Sequence, residues 1–181
     1  MSKKKMGAQT WLFPAPVLLV GALVSGKPNF MTVAWGGIAC SNPPMLSLAI
    51  RPARYTLAGI KENMVFSVNI PKTGSVKETD YCGVHSGNKF DKSEIFKVFY
   101  GTDNKIPLIE ECPVCIECKV AHMIALGTHI LVIGEITETH IDEECLENDA
   151  PSIIKIDPLI YAPSSRNYYG MGPVIADAFK A

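Results

Sequence analysis

The fold turns on residues 29–51, NFMTVAWGGIACSNPPMLSLAIR. They read as two extended segments, Asn29–Gly37 and Pro44–Arg51, joined by a turn punctuated by Gly-Gly and Pro-Pro. Small or hydroxylated Thr32, Ala34, Ser47 and Ala49 alternate with bulky Val33, Trp35, Leu48 and Ile50, the period of two that strands require. A face of slim side chains lets a flat ligand lie against backbone N–H and C=O groups. Arg51, closing the second segment, sets a cation beside that face.

Outward from this pair, Pro16–Val24 is an apolar run suited to a wall buried on both sides, and Ser25-Gly26-Lys27-Pro28-Asn29 turns it back as a hairpin. Helical spacing of Leu57, Ile60 and Met64 predicts a short helix over 53–62, followed by a strand over Val65–Ile70. Residues 75–101 are polar and irregular, predicting short helices and loops. Val114–Leu126 and Thr128–Thr139 predict a long hairpin about Gly127. The acidic run Asp142–Asp149 reads as a solvated turn, Pro158–Tyr161 as a last short strand, and Ser164–Gly172 as a loop carrying Tyr168 and Tyr169. A C-terminal helix is expected from Pro173. Six to seven strands with few helices predict a mainly β chain, an antiparallel barrel occupying residues 1–181 as one domain.

Composition narrows the function. With 181 residues, 48% hydrophobic, and a mean hydropathy of +0.16, the chain is long and apolar enough for a core. Net charge of -1 excludes the basic field that nucleic acid requires. The longest apolar run, Val17–Val24, is far below the ~20 residues of a membrane span, and Pro14 and Pro16 interrupt any signal-peptide core. A cytoplasmic protein is expected, with no membrane or nucleic-acid partner.

Six cysteines show no disulfide spacing. Cys112, Cys115 and Cys118 form C-x-x-C-x-x-C, yet on a strand residues three apart lie roughly 10 Å from one another. Thiolates sharing a metal must approach within about 4 Å, given Zn–S bonds near 2.3 Å. The expectation is buried thiols and no metal site. No G-x-G-x-x-G follows a strand, and no P-loop, H-E-x-x-H or G-x-S-x-G occurs. The four histidines, 85, 122, 129 and 140, lack chelating spacing.

What remains is a binding surface. Asn29, Met31, Thr32, Ala34, Ser47 and Ala49 are available to a ring edge. Arg51, Arg54 and Thr56 lie where a strand ends and a helix begins, where free N–H groups favour an anion. In the irregular insert, Ser86-Gly87 and Asp91-Lys92 can approach the same anion, with Lys92 as a second charge.

The segments FPAPVLLVGA, NFMTVAWGGIACSNPPMLSLAIR, RYTLAGIKEN, VFSVNIP, KETDYCGVHSGNKFDK, PLIEECPVCIECKV and LGTHILVIGEI follow one another in an order that resembles the flavin reductase-like family of FMN-binding split β-barrels, and within it the flavoredoxins. The resemblance implies a homodimer with FMN near the subunit interface, and electrons passing from NAD(P)H or a redox partner to free flavin or another acceptor. It implies ring-edge contacts from Asn29, Met31, Thr32 and Ala34, and contacts from Ser47 and Ala49. It assigns the phosphate to Arg51, Tyr55, Thr56 and Lys92, near which the insert's Ser86 is also expected to bind, and makes Asn69 a further polar contact. His129 falls where related reductases face nicotinamide across the flavin. The scarcity of acid–base groups suits such chemistry, because the cofactor carries the reaction. A small barrel is filled by side chains, so FMN is expected on its outer rim, where a second subunit covers it. Two alternatives stay open: an FMN electron carrier with no nicotinamide site, and a non-catalytic flavin-binding barrel. The Asp91-Lys92-Ser93-Glu94 stretch and Cys115 depart from the family pattern.

Overall fold

The structure, a computed structural model, describes residues 1–180. In chain order its elements are β1 (Ala15–Pro16), β2 (Leu18–Val24), β3 (Lys27–Val33), β4 (Gly36–Ser41), β5 (Pro44–Ile50), α1 (Tyr55–Asn63), β6 (Val65–Ile70), α2 (Val76–Val84), β7 (Val98–Tyr100), β8 (Pro107–Ile109), β9 (Val114–Leu126), β10 (His129–Ile141), β11 (Leu146–Glu147), β12 (Ala150–Pro151), α3 (Ile153–Ile156), β13 (Ile160–Ala162) and β14 (Asn167–Tyr169).

Seven strands form one antiparallel sheet in the order β3-β2-β6-β9-β10-β5-β4. The sheet curls until β3 meets β5, but no ladder joins those two strands. The result is an antiparallel split β-barrel, mainly β with short helices, and the split faces solvent. Alternation explains its filling. Leu18, Val20 and Ala22 of β2, Met31 and Val33 of β3, Leu48 and Ile50 of β5 and Phe66 and Val68 of β6 point into one interior cluster, with Leu57 and Ile60 of α1 packed beside them. Opposite-parity residues, among them Leu19, Phe30 and Cys115, form a second cluster with Leu108 and Ile109 of β8 and Cys82 of α2.

Local chemistry sets the corners. Ser25 and Gly26 both have positive φ, 51° and 78°, and form the two-residue loop that pairs Val24 with Lys27. Such a loop matches the twist of its strands. Gly134 on β10 lies against the Phe66 ring and Cys118 Cβ, where a methyl group would not fit.

Three expectations are corrected. The Gly-Gly/Pro-Pro stretch is not one turn: the chain bends at 34–35, and Gly36–Ser41 becomes an added edge strand paired with β5. Ile38 suits a strand, pairing with β5 shifts register between Ile38 and Cys40, and the reversal is confined to Asn42-Pro43. The Ser164–Gly172 loop contains β14, which pairs with β13 through Tyr161↔Tyr168. No helix forms over 171–180; Val174, Ile175 and Phe179 are exposed there, and a short helix without a packing face is marginal in water.

Candidate functional site

Two cavities meet over the split. The larger, of about 470 Å³, is walled by Thr32, Ala34 and Trp35 on one side of the seam and Ala49 and Arg51 on the other. The smaller, of about 280 Å³, lies at the start of α1 and takes its walls from Asn29, Tyr55, Thr56, Ser86 and Lys92. Met31, Arg51 and Arg54 border both, so the two form one trough. Its size falls within the ~300–1,000 Å³ of small-molecule sites.

The seam is rigid at the bend, where Ala49 N–H donates to the Trp35 carbonyl at 2.8 Å. Ala34 and Ala49 leave backbone exposed on either side of the trough. Thr32 is tied to the far wall, its hydroxyl donating to the Thr79 carbonyl at the middle of α2. The ring of His129 packs on Trp35, centroids 4.7 Å apart, and its Nδ1 lies 2.9 Å from Thr128 Oγ1.

At the narrow end Asn29 Nδ2 donates to Thr56 Oγ1 at 2.6 Å, fixing β3 to the first turn of α1. Arg54 Nη1 donates to the Gly83 carbonyl at 2.8 Å, which holds that guanidinium along the wall. Lys92 is buried, and its Nζ donates to the Phe30 and Cys82 carbonyls at 3.1 and 2.9 Å. One N–H of its three remains. Burial pulls the Lys92 pKa down, and nearby Arg54 adds to that. Gly87 comes so close to Asn29 and Tyr55 that only a glycine fits; an added Cβ would stand 2.7 Å from Tyr55 Cδ1.

Ten of the twelve cofactor residues expected from the sequence border the trough: Asn29, Met31, Thr32, Ala34, Ala49, Arg51, Tyr55, Thr56, Ser86 and Lys92. His129 borders it too. Ser47 does not. It lies two residues along β5, in an adjoining groove under Trp11 and Pro14 that shares Ala34, Trp35 and Ala49 with the larger cavity, and its Oγ is 3.4 Å from the Gly37 carbonyl. Asn69 is also elsewhere. Its amide is used inside the second cluster, donating to Leu19 O and Ser67 Oγ and accepting from Ile109 N–H at 3.0 Å. Its role there is to anchor β8 to β6.

Sequence reasoning missed the outer wall. Asp80 and Gly83 of α2 and Tyr161, Arg166 and Tyr168 of the β13–β14 hairpin complete the larger cavity. The Tyr168 hydroxyl donates to Asp80 Oδ1 at 2.9 Å, and burial together with that carboxylate pushes its pKa up. Tyrosines flanking Pro163-Ser164-Ser165-Arg166 are the one hairpin signal available in the sequence.

Cys118 is set apart from the other two thiols of the C-x-x-C-x-x-C run. Cys112 and Cys115 sit in the second cluster and Cys118 in the barrel interior, on the opposite face of β9. Burial pushes Cys115 and Cys118 up to about 12. Among the described residues no group of His, Cys, Asp and Glu is arranged to hold a metal, and no helix is long and apolar enough to cross a membrane.

Known proteins share this fold. A solved flavoredoxin from Methanosarcina acetivorans is 40% identical, superposes with a TM-score of 0.96 and covers 99% of this chain and 97% of its own. The flavoredoxin of Desulfovibrio vulgaris (Miyazaki F) is 41% identical with a TM-score of 0.92, over 99% of both chains. An uncharacterized protein of Archaeoglobus fulgidus is 36% identical over 137 residues, 73% of this chain and 76% of that protein. The flavin reductase like domain matches residues 9–170, and the chain belongs to that family.

Proposed function

We propose that the trough binds FMN and that the chain is an oxidoreductase of the flavin reductase and flavoredoxin type. The observation that carries this reading is the junction of the two cavities at Arg51 and Arg54: a slim-walled slot opens directly into a cationic end. The residues fit the group. Thr56, Ser86, Tyr55 and the remaining Lys92 N–H offer donors to a phosphate, and Ala34 and Ala49 leave room for a flat ring against backbone. FMN, when bound, exchanges electrons one or two at a time. The chain's own part is to orient the ring, shield one face with the barrel seam and neutralise the phosphate.

The proposed electron donor is NAD(P)H, approaching beside His129. A second reading, a carrier reduced by a partner protein, is favoured by the 40–41% identity to two flavoredoxins. Rapid mixing of the FMN-loaded protein with NADH and NADPH separates them. Bleaching within seconds supports the reductase. No bleaching, together with rapid reduction by a ferredoxin-type donor, supports the carrier.

The proposed assembly is a homodimer, with each subunit a single domain. Ala49, Leu131 and Ile124 are directly opposed on β5, β10 and β9, so they share one outer face of the sheet. Exposed Leu126 extends that apolar row next to the trough. A second copy of the chain would cover it and the open flank of the cofactor. Light scattering of the FMN-loaded protein at a monomer's mass would contradict this. Reduced, buried thiols fit a cytoplasmic setting.

A further inference from the structure

We propose that the β13–β14 hairpin carries a second anion site, in which Arg166 binds a phosphate or acid group of the molecule that exchanges electrons over the flavin. The inference rests on the FMN reading and goes beyond it. Arg51, Arg54 and Lys92 border the phosphate end of the trough, and Arg166 borders only the larger cavity. Asp80 is the one carboxylate on either wall, so four cations less one anion leave three positive charges. A phosphate monoester takes up about two of them. One remains, and geometry places it at the ring end.

Arg166 has no carboxylate within ion-pairing distance among the described residues. Its backbone is held in the left-handed region, φ 57°, and its N–H donates to the Ala162 carbonyl at 2.9 Å. The hairpin is fixed at both ends. β13 pairs with β1 through Ala15↔Tyr161, and Tyr168 donates to Asp80 on α2. Asp80 is thereby turned toward Tyr168, and the guanidinium is left to a ligand. Tyr168 acts as a positioning residue, because it sets where the hairpin turn stands over the cavity.

Two sources can supply the anion: the phosphates of a dinucleotide donor, or the acid group of an organic acceptor. Titration calorimetry on the FMN-loaded protein distinguishes them, with ADP-ribose against adenosine and anthraquinone monosulfonate against hydroxymethyl anthraquinone. Arg166→Asn is the variant, since asparagine tolerates the left-handed backbone. The expected result is a loss of about tenfold in affinity for at least one anionic probe, as for a charge-assisted hydrogen bond, with the neutral counterparts within about twofold. Loss confined to ADP-ribose assigns the site to the donor; loss confined to the sulfonate assigns it to the acceptor. Tyr168→Phe is expected to weaken the same anionic probe about threefold and spare the neutral one. Equal weakening of both would remove the positioning role.

The proposal is overturned if wild type prefers neither anion over its neutral partner, or if Arg166→Asn binds both anions as wild type does. It is equally overturned if that variant loses FMN tenfold, since Arg166 would then serve the cofactor. Failure of wild type to take up FMN is a failure of the earlier reading, seen before any probe is added. The probes are then titrated into the apoprotein, where the same dependence on Arg166 is required.

Discussion

The side-chain amide of Asn29 on β3 donates to Thr56 Oγ1 on α1 across 2.6 Å, and both residues are buried. Because the Thr56 oxygen accepts from Asn29, its own proton is free to donate into the smaller cavity. Thr56→Val keeps the shape and removes that donor. FMN affinity should fall about tenfold, the size of one hydrogen bond to a charged group, with the circular dichroism spectrum unchanged. Undiminished affinity would take Thr56 out of the phosphate site.

Gly87 closes the same end. A Cβ there would collide with the Asn29 carboxamide and stand 2.7 Å from Tyr55 Cδ1. Gly87→Ala must push both side chains into the cavity, so FMN binding should weaken more than tenfold while global stability falls by about 1–3 kcal/mol at most. A titration that matches wild type would mean the loop moves aside without cost.

Gly134 tests the barrel rather than the site. Its Cα faces the Phe66 ring and Cys118 Cβ, the latter 3.1 Å from where a new methyl would stand. Gly134→Ala is expected to destabilise the fold by about 1–3 kcal/mol in urea unfolding, as overpacking does. An unchanged midpoint would show that Phe66 relaxes freely.

Glu117 governs the acid limit. Its carboxylate is buried on β9 and accepts from His140 Nε2 at 2.7 Å and from the Thr102 and Asp103 amides at 2.9 and 3.3 Å. Burial pushes its pKa up, but these three hydrogen bonds together outweigh burial and hold it below the ordinary glutamate value. A carboxyl lowered on folding contributes stability that is fully present above its unfolded pKa, about 4.3, and lost as pH falls through the lower folded value. Glu117→Gln should therefore be less stable than wild type at neutral pH, with the difference shrinking below about pH 4. Parallel pH profiles would rule the carboxylate out.

Much of this was readable in the chain because local rules and tertiary structure agree. Val65–Ile70 and Val114–Leu126 occur as strands with the expected bounds, since each is apolar or β-branched and ends at Pro71 or Gly127. Strand period separates Cys115 from Cys118 on opposite faces of β9, but Cys112 lies before that strand and packs with Cys115. Nothing local marks which partners the buried Asn69 amide finds; one is the Ile109 N–H of β8, 40 residues further on. Ser47 lies one step along β5 from the trough, in the adjoining groove, and the β13–β14 wall was invisible because its contact with Asp80 spans 88 residues. Residues 38–43 read as a turn because Gly36-Gly37 and Pro43-Pro44 bracket them, which hid the strand that runs over Gly36–Ser41.

FMN binding in the trough is measured by titrating FMN into the apoprotein and following the quenching of flavin fluorescence, for wild type and for Arg51→Ala. Binding through the Arg51 guanidinium requires saturation at one FMN per chain for wild type, and for the variant an affinity weaker by about 1.5–3 kcal/mol, the loss of a charge-assisted bond. Fluorescence that stays unquenched as wild-type protein is added would contradict it.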